Sequence, residues 1–322
     1  MNHHFLEMKD LVVEYTSGGS IIHAVNGVSI KLNSGETLGL VGETGAGKTT
    51  LAKAILGILP DRSAKVCGGE IILDGKDLLK LPQKEMLRIR GKKVSMIFQD
   101  PMTALNPVMT VGGQITEAVR LHENLDLNES KRKTCSMLEM VGIPAERFNE
   151  YPHQFSGGMK QRVVIAMALA CNPKLLLADE PTSALDVTIQ AQVLEMINDL
   201  KKQYHMAMLL ITHDLGVVAE TCERVAIIYA GRIVEYGTKD MIFRSPAHPY
   251  TRGLFGSLPS MNSDVKRLSP IPGMPPNPSD MPDGCAFAPR CPYACEKCQN
   301  GDVPLAEIAP GHFCRCFVEK EE

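Results

Sequence analysis

The sequence has no apolar run long enough to cross a membrane. The longest run, residues 163–170, stops at Cys171-Asn172-Pro173, whereas a membrane-spanning helix needs about 18 to 20 apolar residues. The first residues also lack the basic flank and apolar core that mark a secretion signal. We therefore expect a chain that is made and kept in the cytosol.

The chain also lacks an excess of charge of either sign. Its 34 Lys and Arg residues nearly balance 37 Asp and Glu residues, which leaves a net charge of −3. Nucleic-acid-binding domains usually carry a strong basic patch, so no nucleic-acid partner is expected. With 322 residues, 44% of them hydrophobic and 22% charged, the chain is typical of a soluble globular protein. Its length suits one large α/β domain and a smaller appendage.

What the sequence does contain is a glycine-rich loop of the phosphate-binding type. The loop reads Gly42-Glu43-Thr44-Gly45-Ala46-Gly47-Lys48-Thr49 and separates a predicted strand at 37–41 from a predicted helix at 48–59. Glycine has no Cβ, so backbone N–H groups can close in on phosphate oxygens, and the helix N-terminus adds its positive dipole. We predict that Lys48 neutralises the β- and γ-phosphates and that the Thr49 hydroxyl binds Mg²⁺. Thr50, the next residue, is also predicted to bind ATP.

Four polar residues lie at or just past the ends of predicted buried strands: Gln99, Asp179, Glu180 and His213. A carboxylate in such a place can reach Mg²⁺ through water, which we predict for Asp179. Glu180 can then polarise the attacking water. We predict that Gln99 contacts Mg²⁺ or that water, and that His213 hydrogen-bonds the γ-phosphate.

A second glycine pair precedes another predicted helix, in the order Ser156-Gly157-Gly158-Met159-Lys160-Gln161. A glycine pair at a helix N-terminus predicts an anion site. The first loop already surrounds the phosphates of one nucleotide. We therefore predict that the second loop serves a nucleotide on a partner subunit.

Together these motifs resemble the ATPase subunit of ABC transporters over residues 5–255. The resemblance implies an α/β P-loop ATPase domain with a RecA-like core, an antiparallel β subdomain and a helical subdomain at about 100–170. It assigns a Q-loop at Gln99, a D-loop at Ser183-Ala184-Leu185-Asp186 and an adenine-stacking role to Tyr15. Phe155 and Met159 depart from the commonest signature sequence, in which leucine and glutamine stand at these places.

A narrower resemblance is carried by Phe98-Gln99-Asp100-Pro101 with the residues up to Pro107, by His248-Pro249-Tyr250-Thr251, and by a cysteine-rich tail. These segments resemble the ATPase subunits of dipeptide and oligopeptide importers. The family implies a heterodimer with a paralogous ATPase, two transmembrane permease subunits and an extracytoplasmic binding protein. It also implies a peripheral position on the cytoplasmic face of the inner membrane. Nickel import, or a soluble ABC ATPase acting on nucleic acid or ribosomes, stays open as an alternative.

Six of the ten cysteines lie after residue 284, and in a reducing compartment such a group suggests a metal site before disulfides. We expect these residues in a small irregular C-terminal extension over 256–322, after an ATPase domain at 1–255. The family's tail pattern matches Cys285, Cys291, Cys298 and Cys316 and is associated with a [4Fe–4S] cluster, which needs four thiolates. Cys295 and Cys314 could substitute, and a zinc site or reduced structural thiols remain alternatives.

Overall fold

A computed structural model of the chain describes residues 4–183, 185–257 and 271–317. Ala184 of the predicted D-loop and residues 258–270 of the predicted extension lie outside the described residues. The strands, in chain order, are β1 Leu6–Ser17, β2 Ser20–Leu32, β3 Thr37–Val41, β4 Ala64–Leu73, β5 Lys76–Asp77, β6 Val94–Ile97, β7 Leu175–Asp179, β8 Ala207–Ile211, β9 Arg224–Tyr229, β10 Arg232–Thr238, β11 Ala306–Ala309 and β12 His312–Cys314.

The α-helices are α1 Lys48–Leu56, α2 Gln83–Ile89, α3 Pro101–Ala104, α4 Val111–His122, α5 Leu127–Met140, α6 Gly157–Leu169, α7 Val187–Tyr204, α8 Leu215–Thr221, α9 Lys239–Arg244, α10 Pro249–Gly256 and α11 Glu296–Gln299. Short 3₁₀ helices cover Leu78–Lys80, Ala145–Asn149, Pro152–Gln154 and Ala288–Arg290. In the described part of the chain, no helix has both the length and the apolar content needed to cross a membrane.

The chain folds as two compact units. We call residues 1–5, 32–37 and 77–212 the helical unit, and residues 6–31, 38–76 and 213–322 the glycine-loop unit. The tail residues 271–317 belong to the glycine-loop unit. A separate extension that starts at residue 256 therefore stays a prediction.

In the helical unit, β6, β7 and β8 form parallel pairs in which every residue is buried. Parallel strands covered on both faces need such continuous apolar sequence, which is why these segments could be recognised. Helix α5 begins at Leu127, after the N-cap Asp126, whose side chain forms a capping box with Glu129. Helix α6 begins at Gly157, after the cap Ser156, so it includes the glycine pair that the sequence placed before the helix. Because glycine has a low helix propensity, two glycines in the first turn make the start of the helix hard to predict from the sequence.

In the glycine-loop unit, one antiparallel sheet has the strand order β2-β1-β4-β5. The other strands run in the order β11-β12-β10-β9-β3, with β3 parallel to β9. The two apolar runs that flank Ala230-Gly231 in the sequence predict a hairpin, and β9 and β10 form it. Its turn residues Ala230 and Gly231 both have positive φ, as a two-residue turn of this kind requires. Helix α1 ends at Leu56, three residues before the predicted end at residue 59, because the left-handed Gly57 (φ 60°) caps its last turn.

The tail is more regular than the sequence predicted. Strand β12 pairs with the edge of β10, Glu235 opposite Cys314, and β11 pairs with β12. Residues 271–276 lack regular structure, as their proline content predicts. The tail therefore extends a sheet of the glycine-loop unit.

Candidate functional site

The glycine-rich loop connects β3 to α1 and closes tightly around Lys48. Lys48 is 8% exposed, and its Nζ donates to the carbonyls of Gly42 (2.7 Å) and Glu43 (2.9 Å). Gly45 (φ 81°) and Gly47 (φ 98°) adopt left-handed backbone angles that favour glycine. The loop thus gathers backbone groups and one ammonium at the N-terminus of α1, which suits a phosphate group.

The loop has no room for larger residues at two of its glycines. A Cβ at Gly42 would stand 2.2 Å from the Ile228 carbonyl oxygen of β9, and one at Gly47 would stand 2.3 Å from that of Ala24 in β2. The Gly231 N–H also donates to the Ala46 carbonyl at 3.1 Å. Neighbouring strands therefore fix the loop's path.

Tyr15 of β1 lies against the same helix. Its phenol oxygen is 3.3 Å from the Thr50 hydroxyl, so the structure brings these two predicted ATP-binding residues together. His213, which follows β8, is exposed, and the next residue Asp214 caps α8 through Gly216 and Val217.

In the helical unit, the predicted hydrolytic residues lie at the end of β7. Asp179 is 2% exposed. The next residue, Glu180, has φ 47°, which is uncommon outside glycine and asparagine and costs roughly 1–3 kcal/mol. Its N–H donates to the Ile211 carbonyl at 2.8 Å, and its Oε2 accepts from Gln99 Nε2 at 3.0 Å. The structure therefore brings Gln99 and Glu180 together and holds Glu180 in a strained geometry.

The signature residues form the start of α6. Ser156 caps the helix by accepting from the Met159 N–H at 3.4 Å, and Ser156 and Gly157 are exposed. A Cβ at Gly157 would meet nothing within 4 Å, so the fold itself does not require glycine there. This free space leaves the loop open to a molecule that approaches closely.

Arg147 explains both departures from the commonest signature sequence. Its guanidinium lies over the Phe155 ring, 4.2 Å from the ring centre, and its Nη1 donates to the Met159 sulfur at 3.2 Å. A cation over an aromatic face and a soft acceptor are both favourable for arginine. Phe155 and Met159 therefore contact the same partner, Arg147.

Sequence reasoning placed Gln161 at the end of the second glycine motif but missed its contact. Gln161 is 2% exposed, and its amide donates to the Pro181 carbonyl, next to Glu180. The contact ties the signature helix to the turn that follows β7. Its sequence signal is helical spacing, because Gln161 lies three, four and seven residues before Val164, Ile165 and Ala168, which are buried in α6. A polar residue on such a face predicts a buried partner.

The tail contains a cavity lined by the thiols of Cys285, Cys291, Cys298 and Cys316, together with His248, Phe287 and other residues. Burial raises the pKa of the Cys291 thiol, and the thiols of Cys316, Cys285 and Cys298 raise it further. Cys295 and Cys314 do not line this cavity. Within residues 4–183, 185–257 and 271–317, no three His, Cys, Asp or Glu side chains are arranged to hold one metal ion.

His248 closes this cavity and is buried in it. Burial lowers its pKa to about 3, so the ring is neutral at any ordinary pH. Its Nδ1 accepts from the Tyr250 N–H at 3.0 Å. Nearby, the buried carboxylate of Glu235 accepts from the Ala247 and His248 N–H groups and contacts His312 Nε2 at 2.7 Å.

Two family descriptions match the chain. The sequence model for "ABC transporter" matches residues 25–183, and that for "Oligopeptide/dipeptide transporter, C-terminal region" matches residues 234–298. Among solved structures, the dimer of the ATP-binding cassette MJ0796 bound to ADP and Pi has a TM-score of 0.66 and 27% identity. The match covers 73% of this chain and 98% of that one.

Curated relatives match nearly the whole chain. The oligopeptide transport ATP-binding protein OppD of Bacillus subtilis is 49% identical, over 97% of this chain and 88% of its own length. The dipeptide transport ATP-binding protein DppD of the same organism is 48% identical (98% and 95%). OppD of Escherichia coli is 46% identical (98% and 94%). The chain therefore belongs to the ABC transporter ATP-binding proteins, in the oligopeptide/dipeptide transporter branch of that family.

Proposed function

We propose that the chain is the ATP-hydrolysing subunit of an importer for dipeptides or oligopeptides. The main support is the similarity to oligopeptide and dipeptide transport proteins along at least 97% of the chain. A second support is the C-terminal transporter region that matches residues 234–298. Neither nickel import nor a soluble ABC ATPase on nucleic acid or ribosomes is favoured, because the named relatives are peptide transport proteins.

The phosphates of ATP would be bound by the loop from Gly42 to Thr49. Lys48 would move its Nζ from the two loop carbonyls to the phosphate oxygens, and Tyr15 would stack on the adenine. Thr49, Asp179 and Gln99 would offer Mg²⁺ the hard oxygen ligands that it prefers, and the bound ion would neutralise phosphate charge. The chain therefore contains residue types suited to binding phosphate, adenine and Mg²⁺.

For hydrolysis, Glu180 would accept a proton from a water molecule whose oxygen attacks the γ-phosphorus. The bond from that phosphorus to the β–γ bridging oxygen then breaks, which leaves ADP and phosphate. The hydrogen bond from Gln99 supports this assignment because it orients the carboxylate. His213 would hydrogen-bond the γ-phosphate and hold the water in place.

The proposed assembly contains a paralogous ATPase, two permease subunits and an extracytoplasmic substrate-binding protein. The exposed Ser156, Gly157 and the adjacent Gly158 would close over a nucleotide held by the paralogous subunit. Closing and opening of that dimer would drive the permease subunits. The chain would lie on the cytoplasmic face of the inner membrane, attached through these partners.

The proposed function predicts that Lys48→Ala abolishes peptide uptake and weakens ATP binding by about tenfold or more. A charge-assisted hydrogen bond to phosphate contributes about 1.5–3 kcal/mol, and the variant loses it. The test uses cells that lack the gene and require an amino acid that is supplied only as a dipeptide. These cells should grow when they carry the wild-type gene and should fail to grow with the Lys48→Ala gene. Lys53→Ala, one turn further along α1, is the matched control and should support growth.

Two results would contradict this proposal. Unchanged ATP affinity of Lys48→Ala in a titration with the fluorescent analogue mant-ATP would remove the phosphate-loop assignment. Wild-type uptake of radioactive nickel but not of dipeptide would replace the proposed substrate and leave the ATPase role intact.

We also propose that Cys285, Cys291, Cys298 and Cys316 bind a [4Fe–4S] cluster, with zinc as the alternative. The support is that these four residues line one enclosed cavity, in which the other three thiols raise the pKa of Cys291. The cavity measures about 10 Å³, roughly the room of one water, so the thiols must move apart to accept four irons. When bound, the cluster would cross-link four points of the tail.

The cluster proposal predicts iron and acid-labile sulfide in matched amounts in protein purified without oxygen, with a broad brown absorption. Cys291→Ser should lose most of both because it removes a ligand from the cavity. Cys295→Ser should retain them, since Cys295 is exposed and lies outside the cavity lining. Stoichiometric zinc, or no metal, would overturn the cluster.

A further inference from the structure

The phosphate loop is held by an arginine from the cysteine-rich tail, 247 residues away in sequence. Arg290 Nη1 donates to Glu43 Oε2 at 2.9 Å, and Nη2 donates to Glu43 Oε1 at 3.1 Å. The pair is a two-point fork, the strongest geometry between arginine and a carboxylate. Glu43 is the second residue of the loop, directly after Gly42. The tail therefore reaches the loop with a fixed charge.

The other donors of Arg290 are also used. Its Nε donates to the Pro272 carbonyl at 2.9 Å, and Nη1 also donates to the Tyr229 hydroxyl at 3.2 Å. The side chain is only 6% exposed. Burial alone lowers the pKa of the guanidinium, but hydrogen bonds to Glu43 and Tyr229 outweigh burial and raise it. Such an anchored cation cannot swing away without leaving buried acceptors unsatisfied.

Glu43 is held at its backbone as well. Its N–H donates to the Tyr250 hydroxyl at 3.0 Å, and its carbonyl accepts from Lys48. Tyr250 belongs to the His248-Pro249-Tyr250-Thr251 segment, and its ring packs against Tyr229 and Phe287, with ring centres 4.6 and 5.4 Å apart. One residue of the loop is thus fixed at its N–H, carbonyl and carboxylate.

The charge of Glu43 matters because the loop receives an anion. A carboxylate without a partner, one residue from Gly42 and beside Lys48, would repel ATP and compete for the Lys48 ammonium. Arg290 cancels this charge, and the fork also fixes the direction of the side chain. The arginine therefore acts on nucleotide binding without touching the nucleotide.

We propose that Arg290 is a positioning residue of the phosphate loop, which neutralises Glu43 and so keeps the loop ready to bind ATP. This inference rests on the proposed role of residues 42–49 in phosphate binding. It gives the tail a function in nucleotide binding that is separate from its thiols. Tyr250 of the His-Pro-Tyr-Thr segment contributes to the same arrangement, because its hydroxyl accepts from the Glu43 N–H.

The test measures ATP affinity of the purified full-length chain by titration with Mg²⁺-mant-ATP. Arg290→Met should raise the dissociation constant about tenfold, because it leaves Glu43 charged and unpaired. The KM for ATP should rise with it while kcat stays within twofold, since the hydrolytic residues are unchanged. Arg290→Lys keeps the charge but loses the fork, and should raise the dissociation constant only about two- to threefold.

The double variant Arg290→Met/Glu43→Gln separates charge from structure. Removal of the Glu43 charge should recover at least half of the lost affinity on a logarithmic scale. A purely structural role gives no such rescue, because the second substitution would remove more contacts. Arg232→Met is the matched control. Arg232 pairs with Asp302 in the same unit, and in the described part of the chain its side chain forms no hydrogen bond or ion pair with residues 42–49. The Arg232→Met variant should therefore bind mant-ATP with the wild-type affinity.

The outcomes distinguish a failure of this inference from a failure of the proposed function. If Lys48→Ala does not weaken mant-ATP binding, the phosphate-loop assignment fails and the inference fails with it. If Lys48→Ala weakens binding but Arg290→Met does not, only the inference fails. A double variant as weak as Arg290→Met also overturns it. A thermal melt by circular dichroism confirms that each variant is folded at the titration temperature.

Discussion

The Glu180→Gln variant is expected to hydrolyse ATP about 10²- to 10⁴-fold more slowly than wild type while it binds ATP with unchanged affinity. A glutamine keeps the size and one acceptor of the side chain but cannot take a proton from water. Because binding depends on the phosphate loop rather than on Glu180, bound ATP should persist. With the partner ATPase present, the variant should accumulate as an ATP-dependent closed dimer.

The geometry around Glu180 is what makes this substitution informative. Glu180 follows directly after β7 and has a left-handed backbone conformation. The end of the strand, rather than a flexible loop, therefore sets the direction of its side chain. Gln99 donates to one carboxylate oxygen and so orients the carboxylate. Strain that persists at one residue is typical of functional positions. A glutamine can accept the same hydrogen bond, so the variant should fold normally.

The measurement is phosphate release by the assembled transporter, with ATP binding followed separately. Glu195→Gln is the matched control, because Glu195 lies exposed on α7 in the same unit. It should hydrolyse at the wild-type rate. Turnover of Glu180→Gln within tenfold of wild type would assign the proton acceptor to another residue.

Local patterns in the sequence predicted the parts of the molecule that are determined locally. The phosphate loop lies between β3 and α1 as expected, because a strand, a glycine-rich turn and a helix follow one another in a short stretch. The hairpin at Ala230-Gly231 could also be predicted, because glycine readily adopts the positive φ that such a turn requires. Ala230 adopts a positive φ as well (47°), which alanine rarely does. The strands β7 and β8 are continuous apolar runs, a pattern that fully buried parallel strands require.

Long-range contacts could not be predicted in the same way. Nothing near Arg290 indicates that its partner is Glu43, because the contact depends on how the tail folds onto β9 and the loop. Strands β11 and β12 were missed because they are short and gain their hydrogen bonds only from β10. The role of Arg147 beneath Phe155 and Met159 is another case. Contacts of this kind can be identified only when the fold is known.

The second large effect is expected from a single methyl group at Gly47. Gly47→Ala should lower the free energy of unfolding by about 3 kcal/mol or more and abolish ATP binding at millimolar concentration. Its φ of 98° already disfavours an L-residue by about 1–2 kcal/mol. The new Cβ would also stand 2.3 Å from the Ala24 carbonyl oxygen, which is backbone of β2 and cannot rotate away. Either the loop or the strand must move.

Gly45→Ala separates the two causes of this loss. Gly45 has a similar φ of 81°, but a Cβ there would meet nothing within 4 Å. This variant should therefore lose only about 1–2 kcal/mol, which is the cost of the backbone angle alone. Urea unfolding followed by circular dichroism gives both values, and the difference between the two variants is the cost of the clash with β2. Equal losses would show that the loop is free to shift at Gly47. In that case its close fit between β2 and the turn at Ala230-Gly231 would not be what shapes the phosphate site.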